Sequence, residues 1–156
     1  MFLIPALARY QTGLMSESRE WKVGGTTVRF EPPELVWVHT RGQATLEDAV
    51  RLLDIYRELG QQRPILIVSD LSEATTLDRD GGRYLSEHVQ PEWILGCIYI
   101  GARLLHRAVA KGIALAAHLS GRAESSALTR VYFVSSEAQA RELITRMRSE
   151  RFGKAA

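Results

Sequence analysis

Three short, continuous apolar runs most constrain what this chain can fold into. They are Ile65–Val68, Ile94–Ile100 and Val131–Val134, and none contains a charged residue. Such runs are typical of strands whose two faces are both covered by other elements. Because the runs are separated by segments long enough for helices, they predict parallel strands joined by right-handed crossover connections. The sequence therefore predicts an α/β fold with helices packed on a sheet.

The segment before these runs predicts antiparallel strands. Trp21–Val23 and Thr26–Phe30 flank Gly24-Gly25, and glycine supplies the positive φ angles that tight hairpin turns need. Pro32-Pro33 then interrupts the ladder because proline has no amide hydrogen, and Leu35–Thr40 predicts a third strand. Together with the later strands, this predicts a mixed β-sheet of about five strands with packed α-helices.

The first helical pattern starts at Thr45, whose hydroxyl can cap the first turn, and it is predicted to end at Gly60. Leu52 and Leu59 lie off its main apolar stripe, and this excess apolar surface predicts a homodimer. Further helices are predicted over Gly81–Val89, over Ala102–Leu119 and after Ser135 or Ser136, whereas Ser69–Asp80 is predicted to be a polar loop.

Composition limits the class of protein. The 156 residues predict an N-terminal extension over residues 1–20 and one domain over residues 21–152. The net charge of +2 is spread without a basic stripe, which argues against nucleic-acid binding. Cys97 is the single cysteine, so the chain can form no internal disulfide, which suits a reducing, cytoplasmic location. No apolar run is long enough for a transmembrane helix, and the absence of Asn with Arg far above Lys indicates a bacterial source.

The sequence lacks the stronger catalytic and cofactor motifs. It contains no glycine-rich phosphate loop, no dinucleotide-binding glycine pattern, no nucleophile elbow and no paired-cysteine or His-Glu-x-x-His metal motif. The histidines His39, His88, His106 and His118 are interpreted as satisfied or surface side chains. We therefore expect no catalytic residues, no cofactor and no bound metal, and the chain is interpreted as a non-enzyme.

Asp78-Arg79-Asp80-Gly81-Gly82 is the most unusual segment. The spacing of its acids suits a calcium loop, but the remaining ligands of such a loop are missing. An aspartyl phosphotransferase would need a threonine where Gly82 stands. The plainer interpretation is helix capping, in which Asp78 or Asp80 accepts amide hydrogen bonds at a helix start.

The strand at Ile65–Val68, the following loop with Thr76–Gly81, and the helix after it resemble the STAS domain of bacterial anti-sigma-factor antagonists. The resemblance covers roughly residues 26–147 and extends to the SpoIIAA-like group, which shares features with lipid-binding SEC14 domains. Signalling members carry Asp-Ser-Ser-Gly in this loop, and the second serine is phosphorylated. On this alignment Asp78 matches the family aspartate, Arg79 the first serine, Asp80 the phosphorylated serine and Gly81 the glycine.

The resemblance implies a binding or signalling module that acts through a protein partner, with Asp78, Arg79, Asp80 and Gly81 as the partner-binding loop. Because Asp80 replaces the phosphorylated serine, a fixed carboxylate would stand where the family places a switchable phosphate. The alternative is a SEC14-like carrier of a small molecule or lipid, whose pocket would be walled by the helices Thr45–Gly60 and Ala102–Leu119. An enclosed cavity would favour the carrier, and a filled core beside an exposed charged loop would favour the interaction module.

Overall fold

The computed structural model describes residues 17–103 and 130–155, apart from the side chains of residues 76, 77 and 152–155. Three strands come first, helices then alternate with strands as far as β5, and β6 and a last helix follow residues 104–129. The elements are β1 (Arg19–Val23), β2 (Thr26–Glu31), β3 (Leu35–Ala44), α1 (Leu46–Gln62), β4 (Ile65–Leu77), α2 (Arg79–His88), a 3₁₀ turn (Pro91–Trp93), β5 (Ile94–Ile100), β6 (Val131–Val134) and α3 (Glu137–Ala155). The predicted helix Ala102–Leu119 lies outside the described residues from residue 104 onward.

All six strands form one mixed sheet in the order β1-β2-β3-β4-β5-β6. The first three pair antiparallel, and β3 to β6 pair parallel. The predicted mixed-sheet α/β fold is confirmed. The sheet has six strands, against the predicted five or so, and each corresponds to one of the strand segments named from the sequence.

The helices lie on opposite faces of the sheet. Ile55, Tyr56 and Leu59 of α1 pack on one face, against side chains of β2, β3 and β4. Ala140 and Ile144 of α3 pack on the other face. In a sheet whose parallel strands follow one another in order, right-handed crossovers place their helices on the same side. Helix α3 follows the last strand, so it is not a crossover connection, and it covers the opposite face of the sheet.

Strand β4 is longer than its apolar run. The prediction of a loop over Ser69–Asp80 is wrong, because β4 continues to Leu77 and pairs with the segment Arg41–Ala44 of β3. Strand β3 itself runs past Thr40, the predicted end, with a bulge near Gly42, whose φ is +70°. Parallel strands are held together by hydrogen bonds between backbone amides and carbonyls, which polar residues can form as well as apolar ones. Both strands therefore continue through polar residues.

Helix α1 begins where predicted but ends later. Thr45 is its N-cap, and a capping box links Thr45 with Asp48. Gly60 lies inside the helix, which runs to Gln62, so the interpretation of Gly60 as its end is wrong. A Cβ atom at Gly60 would lie 2.5 Å from the Cβ of Trp93. The glycine therefore allows α1 to approach the 3₁₀ turn closely.

The two leucines that motivated the homodimer are used within the chain. Leu59 is buried in the core, and the half-buried Leu52 packs against the same cluster. The homodimer stays a prediction, but α1 no longer supplies its argument. Across the two described stretches of the chain, no helix combines the length and the apolar character needed to cross a membrane.

Candidate ligand-binding cavity

A cavity of about 260 Å³ lies between the sheet and the helices α1 and α2. The sheet supplies its floor from β3, β4 and β5, and the two helices supply the opposite wall. Most of its lining is apolar, including Val38, Leu52, Ile67, Leu71, Leu85 and Val89. The cavity is partly open rather than sealed. Its volume is several times the roughly 30 Å³ that one water molecule occupies, so it is large enough to admit a small ligand.

The Asp78–Gly82 segment joins the two helices that wall the cavity. The Asp78 Oδ1 atom accepts a hydrogen bond from the Asp80 amide at 3.0 Å, and its Oδ2 atom accepts one from the Leu46 amide at 3.0 Å. One carboxylate thus caps α2 and also satisfies an amide in the first turn of α1. The capping interpretation is confirmed for Asp78, which is the N-cap, whereas Asp80 lies in the first turn.

Gly81 lets the two helix starts meet closely. A Cβ atom there would lie 3.3 Å from the Ala49 Cβ and 3.4 Å from the Thr45 carbonyl oxygen. Asp78 and Gly81 both line the cavity, whereas Arg79 and Asp80 are exposed. The four predicted site residues therefore divide into two that shape the cavity and two that face solvent beside it.

Hydroxyl and thiol groups interrupt the apolar lining, and three of them have shifted pKa values: Tyr56 of α1, and Cys97 and Tyr99 of β5. Burial raises the pKa of the Cys97 thiol to about 11, while the Arg130 guanidinium acts on it in the opposite direction. Burial also raises the pKa of the Tyr56 and Tyr99 hydroxyls far above their ordinary value, and the nearby thiol adds to both shifts. All three groups are therefore neutral at pH 7, and Cys97 does not provide a thiolate nucleophile.

Three charged residues are described in the cavity lining: Asp48, Asp78 and Arg130. Asp48 accepts the Thr45 amide at 3.1 Å within the capping box, and Asp78 bonds the two helix starts. Arg130 precedes β6, and its Nη1 atom donates to the Ile94 carbonyl oxygen at 3.0 Å. Its guanidinium forms no ion pair with any described residue.

A second polar group lies on the opposite face, near the carboxyl ends of β3 and β4. The His39 Nε2 and Glu73 Oε2 atoms are in contact, and the Arg41 Nε atom donates to the same Glu73 oxygen at 3.0 Å. These contacts hold the pKa of Glu73 below its ordinary value, His39 contributing most. His39 is thus a satisfied surface histidine, as predicted, while His106 and His118 lie outside the described residues. Within the part of the chain that the structure describes, no three potential ligands are placed to hold a metal ion.

Sequence reasoning missed Tyr56, Cys97, Tyr99 and Arg130 as members of one site. The available signal was the spacing of Cys97 and Tyr99, which lie two residues apart in an apolar strand and therefore point to the same face. Nothing in the sequence placed Arg130 beside them, because β6 pairs with β5 only in the folded sheet.

These features define the class of the protein: an α/β protein with a six-stranded mixed sheet and an apolar cavity on one face. No protein-family model and no curated protein matches the chain. One matching solved structure, described as "Crystal Structure Analysis of Mglu", aligns with 70% of this chain and 19% of its own, at 17% identity and a TM-score of 0.35. The chain spans about a fifth of that structure's length.

Proposed function

We propose that this protein binds a small, largely apolar molecule in the cavity between the sheet and the helices α1 and α2. The observation that carries the proposal is the cavity itself, about 260 Å³ with mostly apolar walls. Sites for drug-sized ligands measure roughly 300–1,000 Å³ and combine apolar walls with a few polar groups. The cavity has that character and its volume lies just below that range, which suits a small ligand.

The SEC14-like side of the resemblance agrees with this carrier function. The Asp78–Gly82 segment would then be part of the framework of the site, because the Asp78 carboxylate bonds both helix starts and Gly81 lets the two helices approach closely. This structural role accounts for the unusual segment, and no catalytic role is needed.

The test is a cavity-filling substitution, read with an uncharged fluorescent probe such as N-phenyl-naphthylamine. Leu52 lines the cavity from α1, so Leu52→Trp places a large side chain in the ligand's space and should weaken probe binding at least about tenfold. Leu46→Trp is the matched control, because Leu46 lies on the same helix but is exposed. Probe binding that is absent from the parent, or equal in both variants, would refute the proposal.

A second candidate function is an interaction module that recognises a protein partner through the start of α2. Its support is the exposure of Arg79 and Asp80 directly beside the cavity, together with the position of Asp80 in the alignment with signalling STAS domains. A pull-down from the native host with Asp80→Ala and Asp80→Ser tests it, since both variants remove the fixed charge and should lose a charge-dependent partner. Light scattering of the parent at tens of micromolar tests the homodimer.

A further inference from the structure

We infer that the ligand of this cavity is amphipathic and carries a carboxylate head group, which binds Arg130 while its hydrocarbon chain lies beneath α1 and α2. The inference rests on the proposed function and specifies the chemistry of the ligand. It follows from which polar groups of the cavity already have partners and which do not.

Arg130 supplies a positive charge that no described residue balances. One guanidinium nitrogen is held by the Ile94 carbonyl oxygen at 3.0 Å, which fixes the side chain at the cavity. A guanidinium has five N–H donors, so most of its hydrogen-bonding capacity remains available. A charge taken partly out of water without a counter-ion is costly. Charge-assisted bonds to a carboxylate would offset that cost and can be formed by two parallel donors.

The acidic groups of the cavity lie apart from Arg130. Asp48 and Asp78 accept backbone amides at the starts of α1 and α2, where β3 and β4 end, whereas Arg130 donates to the Ile94 carbonyl oxygen at the start of β5. A cationic head group would be repelled by Arg130. The charge at this end of the cavity therefore favours an anion over a cation or a neutral polar group.

Neutral donors lie in the same region. Tyr56 is 5% exposed, lines the cavity and has no hydrogen-bond partner among the described residues. Cys97 and Tyr99 line the same cavity and point to the same face of β5. The phenol hydroxyls remain protonated at neutral pH and can donate to a carboxylate oxygen. Arg130 and the tyrosines thus form a head-group site, and the apolar lining receives the chain.

The experiment compares four ligands of equal chain length, below their micellar concentrations: decanoate, decyl phosphate, decanol and decylammonium. Calorimetry with the parent protein should show decanoate binding at least about tenfold more tightly than decanol, because a hydrogen bond to a charged group contributes about 1.5–3 kcal/mol. Decylammonium should bind most weakly. Decyl phosphate binding more tightly than decanoate would overturn the carboxylate assignment in favour of a phosphate head group.

Arg130→Gln should lower decanoate affinity about tenfold and leave decanol affinity unchanged, since only the head-group contact is lost. Arg130→Lys keeps the charge and should restore part of the difference. Arg103→Gln is the control, because Arg103 is exposed just after β5 and does not line the cavity. Equal affinities of the parent for decanoate and decanol, or an equal loss of both in Arg130→Gln, would overturn the inference.

The sole cysteine gives an independent readout that needs no variant. Decanoate should slow alkylation of Cys97 in the parent protein at a lower concentration than decanol does, because the head group would lie beside the thiol. If decanol protects and decanoate protects no better, the head-group inference fails while the cavity function stands. If neither ligand binds or protects, the proposed function itself fails.

Discussion

The two faces of the sheet are built by different means. On the face covered by α1 and α2, apolar side chains surround a cavity, and its charged residues Asp48 and Asp78 serve to start helices. On the face covered by α3, buried apolar side chains form a core, its rim is tied by arginine contacts, and a cleft beside it is lined largely by polar and charged side chains such as Glu20, Arg29 and His39. One face therefore anchors the fold through charged pairs, whereas the other holds an apolar space beneath its helices.

The anchoring face owes its rigidity to specific pairs. Arg141 lies with its guanidinium carbon 4.5 Å from the centre of the Trp37 ring, and it also forms two hydrogen bonds of 3.2 Å to Glu31. This pairing lowers the pKa of Glu31 through the hydrogen bond to Arg141. A cation held over an aromatic ring and paired with a carboxylate fixes α3 in one position on the sheet.

The largest expected effect is on this anchoring face, at Glu34. Its side chain is 2% exposed and receives hydrogen bonds from Arg148 and Arg151 of α3, the Arg148 Nε distance being 3.0 Å. Breaking a buried ion pair costs about 3–5 kcal/mol. Because both arginines are about one-third exposed and can be rehydrated, we expect Glu34→Ala to lower the free energy of unfolding by about 2–3 kcal/mol.

Urea denaturation measures this loss. Glu137→Ala is the matched control, because Glu137 forms only an exposed pair with Arg141 and such pairs contribute about 0–1 kcal/mol. Equal losses in the two variants would contradict the view that the charges of this face anchor the fold. Binding of an apolar probe should be unchanged in Glu34→Ala at temperatures where it is folded, since the cavity lies on the other face.

A smaller loss of stability is expected on the cavity face. There, replacing Asp78 removes helix-capping hydrogen bonds, whereas replacing Asp80 removes only a charge near a helix start. Asp78→Ala removes acceptors from the starts of two helices and should cost about 1–2 kcal/mol. Asp80→Ala removes only an exposed charge from the first turn and should cost about 0.3–1 kcal/mol. Thermal melts of both variants give the comparison. A larger loss at Asp80 than at Asp78 would show that the capping carboxylate has been misassigned.

The framework of this fold could be predicted from sequence because it depends on local signals. Apolar runs marked the buried strands, and Thr45 marked the start of α1. The continuation of β4 through the polar residues up to Leu77 could not be predicted, because it depends on pairing with β3 far away in the chain. The role of Gly60 could not be predicted either, because its close approach to Trp93 exists only in the folded chain. From the sequence alone, a glycine at this position indicated the end of the helix.

The candidate site was predicted in part. The Asp78–Gly82 segment was recognised, but its role as the joint between two helices depends on the Leu46 amide, which lies 32 residues earlier. The cavity itself has no sequence signature, since the residues that line a void have the same apolar character as residues that fill a core. Arg130 could not be assigned to it because its neighbours come from β5.

The smallest expected effect near neutral pH is that of removing the Tyr56 hydroxyl. At high pH the same change tests whether water reaches this hydroxyl on the cavity face. Burial raises its pKa above the ordinary value of 10.0, so the folded state favours the neutral phenol more strongly than the unfolded chain does. The stability that this group contributes is therefore fully present below pH 10 and is lost as pH rises from 10 towards the folded-state pKa. One such group gives a loss of about 1.4 kcal/mol per pH unit in that range.

Tyr56→Phe should match the parent protein to within about 0.5 kcal/mol at pH 7, since the hydroxyl has no hydrogen-bond partner among the described residues. Above pH 10 the variant should become the more stable protein, because it lacks the ionising group, and the difference should widen with each pH step. Tyr132→Phe is the control on the α3 face and should follow the parent's melting curve. If Tyr56→Phe and the parent lose stability in parallel above pH 10, the Tyr56 hydroxyl is hydrated in the folded state. The cavity face would then be wet, and its tyrosines would be poorer donors to a ligand head group.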